Sequence, residues 1–250
     1  MVAGIESFRE KFKNYTDCYT IIGGAACDIL LSEADQPFRA TKDIDMILIM
    51  EDNFPEFATA FWEYIREGGY RCGWKNSDDM HFWRFTEGKP GYPSMIELFS
   101  RKPGYHLEIN EGIIPIHIDD DTSSLSAILL NDDFYEFMKS GRKVVDGLGV
   151  LGEEYLIPFK MYAWVNLLDK KRNGGSVNEK DLRKHKYDVF RLLQIVTDGV
   201  KVETSGLVTD SIRRYIEEIS ALDESEVQLL QMGLPFDKNQ GITLLKKIYL

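Results

Sequence analysis

A strand that runs into two glycines and then a helix commits this part of the chain to a mixed α and β arrangement. Tyr19-Thr20-Ile21-Ile22 is a short apolar run that reads as a buried strand. Gly23-Gly24 stops it, and residues 25–31 are good helix formers with no breaker. Such a corner exposes backbone N–H groups at a helix N-terminus. Bare glycine lets a phosphate approach them, and the helix dipole favours the anion.

The rest of the chain divides into two patterns. Before the corner, Ile5, Phe8 and Phe12 recur at helical spacing. After it, residues 32–39 read as a loop and residues 44–50 as a second strand. A helix starts at Pro55, carries Phe57, Phe61, Tyr64 and Ile65 on one stripe, and ends at Gly68-Gly69. Short strands are expected around residues 70–72, 81–86, 94–100 and 113–118, then a helix over 132–139 and a strand over 142–145. From Pro158 onward only helical periodicity is present, with stripes such as Met161, Trp164, Val165 and Leu168. A mixed first half followed by a run of helices predicts an α+β fold: an α/β domain over residues 1–150 and a helical domain over 151–250.

Composition narrows the class further. The chain has 250 residues, enough for one large domain or two modest ones, with 44% hydrophobic and 28% charged residues. Those fractions exclude fibrous and wholly disordered classes. No apolar run approaches the roughly 20 residues of a membrane span, and the first residues lack the pattern of a signal peptide. Three scattered cysteines, Cys18, Cys27 and Cys72, read as reduced thiols of a cytoplasmic protein. A net charge of −11 argues against general nucleic-acid binding, although residues 169–191 are locally basic.

The chemistry concentrates after the glycines, in Thr41-Lys42-Asp43-Ile44-Asp45. Asp43 and Asp45 stand at i and i+2 near the start of a strand, so both carboxylates share one face. Two adjacent carboxylates repel unless a cation neutralises them. Magnesium, a hard ion usually shared with phosphates, is the natural guest. A third carboxylate is expected on a neighbouring strand, and Met95-Ile96-Glu97-Leu98-Phe99 supplies Glu97 between apolar neighbours, where it is costly unless paired or bound to metal. Glu97 is thus the third ligand and a candidate general base. A phosphate cradle beside paired carboxylates is the equipment for two-metal phosphoryl or nucleotidyl transfer.

These blocks resemble the nucleotidyltransferase superfamily of the polymerase beta type, and more closely the AbiEii/AbiGii toxin-like nucleotidyltransferases. The resemblance runs over roughly residues 19–193. It is carried by Gly23-Gly24-Ala25-Ala26, by Arg39-Ala40-Thr41-Lys42-Asp43-Ile44-Asp45, by Lys160 in Ile157-Pro158-Phe159-Lys160, and by Lys184-His185-Lys186-Tyr187-Asp188. It implies a mixed sheet with flanking helices followed by a helical region. It also implies a magnesium-dependent enzyme that moves a nucleoside monophosphate from an NTP, such as ATP, to an acceptor hydroxyl. Asp43, Asp45 and Glu97 would be catalytic and hold two Mg²⁺ ions. Gly23, Gly24, Thr41, Lys160, Lys184 and Asp188 would bind the nucleotide. The family setting implies an RNA or tRNA end, or a protein hydroxyl, as acceptor and a cognate antitoxin as partner, with no membrane involved.

Two other functions compete. One is a small-molecule nucleotidyltransferase of the antibiotic-modifying type. The other is a non-catalytic relative that binds a nucleotide or a partner protein; Ala25 and His185, which stand where relatives often carry a hydroxyl residue and Asp, favour it. Simpler roles compete residue by residue. Lys160 flanks an apolar stripe and would then reach out to solvent. Lys184 and Asp188, at i and i+4, would form a surface pair. His185 lies on an apolar stripe and reads as a packed histidine. His81, His106 and His117 have no zinc spacing, and Asp119-Asp120-Asp121 reads as a solvated acidic loop.

Overall fold

The computed structural model describes residues 2–49, 54–77, 80–99, 115–116 and 131–250. The fold is α+β, as the sequence pattern predicts. It comprises two compact units, one of residues 1–130 and 142–151, the other of residues 131–141 and 152–250. His106, His117 and the acidic run at 119–121 lie outside the described residues, as does most of the strand expected at 113–118.

The first unit is built on one mixed sheet. Its elements are α1 (Ile5–Phe12), β1 (Tyr19–Ile22), α2 (Gly23–Glu33), β2 (Asp43–Leu48), α3 (Phe54–Gly68), β3 (Arg71–Ser77), β4 (Met80–Thr86), β5 (Met95–Phe99) and β6 (Pro115–Ile116). After the helix α4 (Asp132–Ser140), which belongs to the second unit, the chain returns to the sheet as β7 (Arg142–Val145) and β8 (Leu148–Leu151). Among the described residues, eight strands run in the order β6-β3-β4-β5-β2-β1-β8-β7. β1 is antiparallel to β2, while β2 is parallel to β5 and β5 antiparallel to β4.

Register and alternation assign the two faces of the central strands. Tyr19 and Ile21, Ile44 and Met46, Ile96 and Leu98, and Phe85 fall on one face, and all are buried. The stripes of α1 and α3 cover that face. Phe8 meets Tyr19 edge-on at 5.5 Å between ring centroids, Tyr19 stacks on Phe57 at 5.9 Å, and Phe61 meets Phe85 at 5.3 Å. Edge-to-face and offset pairs of this kind add to the area each ring buries. The opposite face carries Asp43, Asp45, Glu97 and Arg84.

One strand was not anticipated. Asp146 (φ 46°) and Gly147 (φ 73°) form a two-residue turn with both residues left-handed, and it joins β7 to the buried β8. An Asp-Gly pair between apolar residues is a hairpin signal, and β8 is simply short.

The second unit contains α4, α5 (Glu153–Arg172), α6 (Glu179–Leu193), α7 (Gly206–Ala221) and α8 (Lys238–Tyr249). The Asp133 carboxylate caps α7 by accepting from the Leu207 N–H at 2.8 Å. The Trp164 ring meets Tyr215 at 5.2 Å, and the Tyr215 hydroxyl donates to the Lys186 carbonyl at 2.9 Å.

Helix α5 starts five residues before Pro158 and encloses it. A proline there has no N–H for the carbonyl four residues back, that of Glu154. The buried Tyr249 hydroxyl of α8 donates to that carbonyl at 2.6 Å. Burial pushes the Tyr249 pKa well above its ordinary value, so the hydroxyl stays a donor. Tyr249→Phe leaves the carbonyl without this donor, and the expected loss is about 1–3 kcal/mol of stability in urea unfolding. A loss within error of zero would mean that water replaces the hydroxyl.

Candidate functional site

The glycine corner is where β1 becomes α2. Both glycines lie in the first turn of the helix rather than ahead of it, and Ile22 provides no side-chain cap for the helix end. Gly23 is left-handed, with φ 68°. A Cβ added to Gly23 would fall 2.0 Å from Asp45 Oδ2, and one added to Gly24 would fall 3.2 Å from Thr41 Oγ1. The Asp45 carboxylate and the Thr41 hydroxyl therefore lie directly against the two bare backbone positions. Pairing explains the first contact: Ile22 is opposite Asp45 in the β1–β2 ladder, so the next residue turns across the carboxylate.

Strand β2 alternates as the sequence predicts. Asp43 and Asp45 are half-buried while Ile44 between them is fully buried. In the parallel β2–β5 ladder Asp45 is opposite Glu97 and Asp43 is opposite Met95. Glu97 is buried, 8% exposed, and is opposite Arg84 in the antiparallel β4–β5 ladder. A single row thus crosses the sheet: Arg84, Glu97, Asp45, then the glycine corner. Neighbouring strands stand about 4.8 Å apart, so each charged group in the row is within reach of the next. The Arg84 Nε donates to Glu97 Oε1, and both side chains are largely shielded from solvent.

Six of the expected site residues therefore come together in the first unit: Gly23, Gly24, Thr41, Asp43, Asp45 and Glu97. The donor set suits a hard cation shared with phosphates, because two carboxylates stand on one face beside an uncapped helix N-terminus. Among the described residues no three His, Cys, Asp or Glu side chains converge on a common ion position. Glu97 is instead turned toward Arg84. Sequence reasoning missed Arg84, although its signal matches that of Glu97: a charged residue between apolar neighbours, Trp83 and Phe85, inside a strand.

The remaining three expected residues lie in the second unit. Lys160 and Asp188 meet each other: Lys160 Nζ is 3.3 Å from Asp188 Oδ2, with side-chain exposures of 4% and 0%. Lys160 thus does not extend to solvent. Arg191 reaches Asp188 Oδ1 at 3.5 Å from a more open position. Lys184 is exposed and pairs with Asp181 at 2.9 Å, so the surface pair expected between Lys184 and Asp188 gives way to one at i and i+3. Asp188 is buried because the C-terminal half of α6 is enclosed on nearly all sides: Tyr187, Asp188, Val189, Phe190, Leu192 and Leu193 are all buried.

No protein-family model matches the chain, and no curated protein matches it. Among solved structures it is similar to an antigenic nucleotidyltransferase-like protein from Paracoccidioides brasiliensis. That match has 12% identity, covers 99% of this chain and 91% of the other, and has a TM-score of 0.47. It is also similar to JHP933 from Helicobacter pylori, at 13% identity, 97% and 87% coverage, and a TM-score of 0.42. Among the described residues no helix is long and apolar enough to cross a membrane. Cys18 and Cys27 are both buried.

Proposed function

We propose that this chain is a magnesium-dependent nucleotidyltransferase that moves a nucleoside monophosphate from an NTP to an acceptor hydroxyl. One observation carries the proposal: the Asp45 carboxylate lies against Gly23 at the strand-to-helix corner, on the same sheet face as Asp43 and Glu97. Phosphates need donors and carboxylates need a cation, and here the two requirements meet within one residue of each other.

The roles follow from position. Backbone N–H groups at the start of α2 donate to phosphate oxygens, and the helix dipole holds the negative charge. The Thr41 hydroxyl, against Gly24, donates to a neighbouring phosphate oxygen. Asp43 and Asp45 would hold magnesium, with Glu97 as the third carboxylate. The ion supplies charge neutralisation at the phosphates and at the attacking and leaving oxygens. Glu97, buried beside Asp45, accepts the proton of the incoming hydroxyl. We take the acceptor to be an RNA end, such as that of tRNA, or a protein hydroxyl.

The test uses the full chain with Mg²⁺, α-labelled NTPs, total RNA and total protein, followed by gel separation of labelled products. The parent is expected to label one acceptor class. Asp43→Ala combined with Asp45→Ala is expected to lower transfer by about a hundredfold or more. Calorimetry adds a second measure, in which the double variant no longer binds Mg–NTP. Equal Mg–NTP binding by parent and double variant overturns the site assignment, and absence of transfer to any acceptor by the parent overturns the enzymatic role.

A further inference from the structure

We infer that Arg84 is a positioning residue: it holds Glu97 away from Asp45 in the ion-free protein and so sets how tightly the site takes a divalent cation. The inference rests on the reading of Asp43, Asp45 and Glu97 as ion ligands. Its own basis is the row across the sheet. Glu97 stands on the strand between Arg84 and Asp45, in register with both, and its carboxylate is engaged by the Arg84 guanidinium.

The electrostatics explain why such a residue is present. Three carboxylates on one partly buried face repel each other unless positive charge offsets them. The Arg84 charge compensates the most buried of them, Glu97, and a charge-assisted bond between largely shielded groups is stronger than a surface pair. A divalent cation at Asp43 and Asp45 needs the same Glu97 carboxylate. Guanidinium and ion therefore compete for it, and Glu97 is long enough to turn from β4 toward β2. Free ions then bind weakly. An ion arriving with a triphosphate binds tightly, because the phosphate oxygens supply the remaining ligands.

The experiment is a calorimetric titration of the full chain with Mn²⁺, without nucleotide, arranged as a double-mutant cycle. Arg84→Gln is expected to bind Mn²⁺ about tenfold more tightly than the parent, since Glu97 is released to the ion. In a Glu97→Gln background the same substitution is expected to change nothing. Unchanged or weaker binding by Arg84→Gln overturns the inference. So does tightening that persists without Glu97, because a general field effect then accounts for it. Arg84→Lys, which keeps the charge but loses the Nε donor, guards against misfolding of the first variant. It is expected to tighten binding by about threefold, and no tightening counts against the inference. If the parent binds Mn²⁺ neither alone nor with an NTP, the ion-site reading itself fails, an outcome distinct from a parent that binds and an Arg84 variant that does not differ.

Discussion

Asp188→Ala is expected to destabilise the protein by about 3–5 kcal/mol, measured by urea unfolding. The carboxylate has no solvent exposure and the Lys160 ammonium almost none. Removing the acid takes the carboxylate away from a cation in a place water does not reach, so less of its desolvation is offset. Arg191 cannot help, because it adds a second positive charge near the same point. Asp188→Asn is expected to lose less, since the amide oxygen still accepts from Lys160 Nζ. Replacing the pair together, Lys160→Met with Asp188→Leu, is expected to recover most of the loss, because a buried ion pair and an apolar pair of similar volume are often close in stability. A loss near 1 kcal/mol for Asp188→Ala would place the pair among ordinary surface salt bridges and contradict its burial.

The second large effect is expected at Gly23→Ala, and a matched control is available. Gly23 and Gly69 share φ 68°, a conformation that costs a side-chain-bearing residue about 1–2 kcal/mol. At Gly69 an added Cβ meets nothing within 4 Å, so Gly69→Ala measures the backbone cost alone. At Gly23 the added Cβ falls 2.0 Å from Asp45 Oδ2, so the carboxylate must move. Gly23→Ala is therefore expected to lose about 1–3 kcal/mol more than Gly69→Ala, the range seen for overpacked sites. It is also expected to weaken Mg–NTP binding at least about tenfold, while Gly69→Ala leaves binding at the parent value. Equal stability losses for the two variants would show that Asp45 yields without cost. Equal nucleotide binding would separate the glycine corner from the proposed phosphate site.

Much of the first unit was legible because its signals are local. Alternation over Asp43-Ile44-Asp45 predicts two acids on one face, and β2 has that burial pattern. The stripe of Phe57, Phe61, Tyr64 and Ile65 predicts the buried side of α3, and all four are buried. Glu97 stood out because an acid between apolar residues needs a partner. What local pattern leaves open is which partner. Arg84 is thirteen residues from Glu97 in the chain and meets it only because β4 and β5 pair in one register. A register one residue different would send Arg84 to the other face of the sheet.

The second unit shows the same limit. Lys184 and Asp188, four apart on one face, read as a helix pair, but α6 is open to solvent at Lys184 and enclosed one turn later at Asp188. Lys160 gave no sign of its partner, since the contact spans twenty-eight residues and two helices. Helical periodicity is legible from Pro158 onward, yet the helix begins at Glu153 and encloses the proline, and Tyr249, far along the chain, satisfies the carbonyl that the proline strands.

Periodicity and turn chemistry act over a few residues, so they already specify the α+β class, the glycine corner and the shared face of Asp43 and Asp45. The order of the strands and the packing of the helices act over the whole chain. They set Asp45 against Gly23, Thr41 against Gly24, Glu97 between Asp45 and Arg84, and Lys160 against Asp188. The physical reason is that a side chain's face is written in its neighbours, while its partner depends on a backbone path that only burial of the complete core selects.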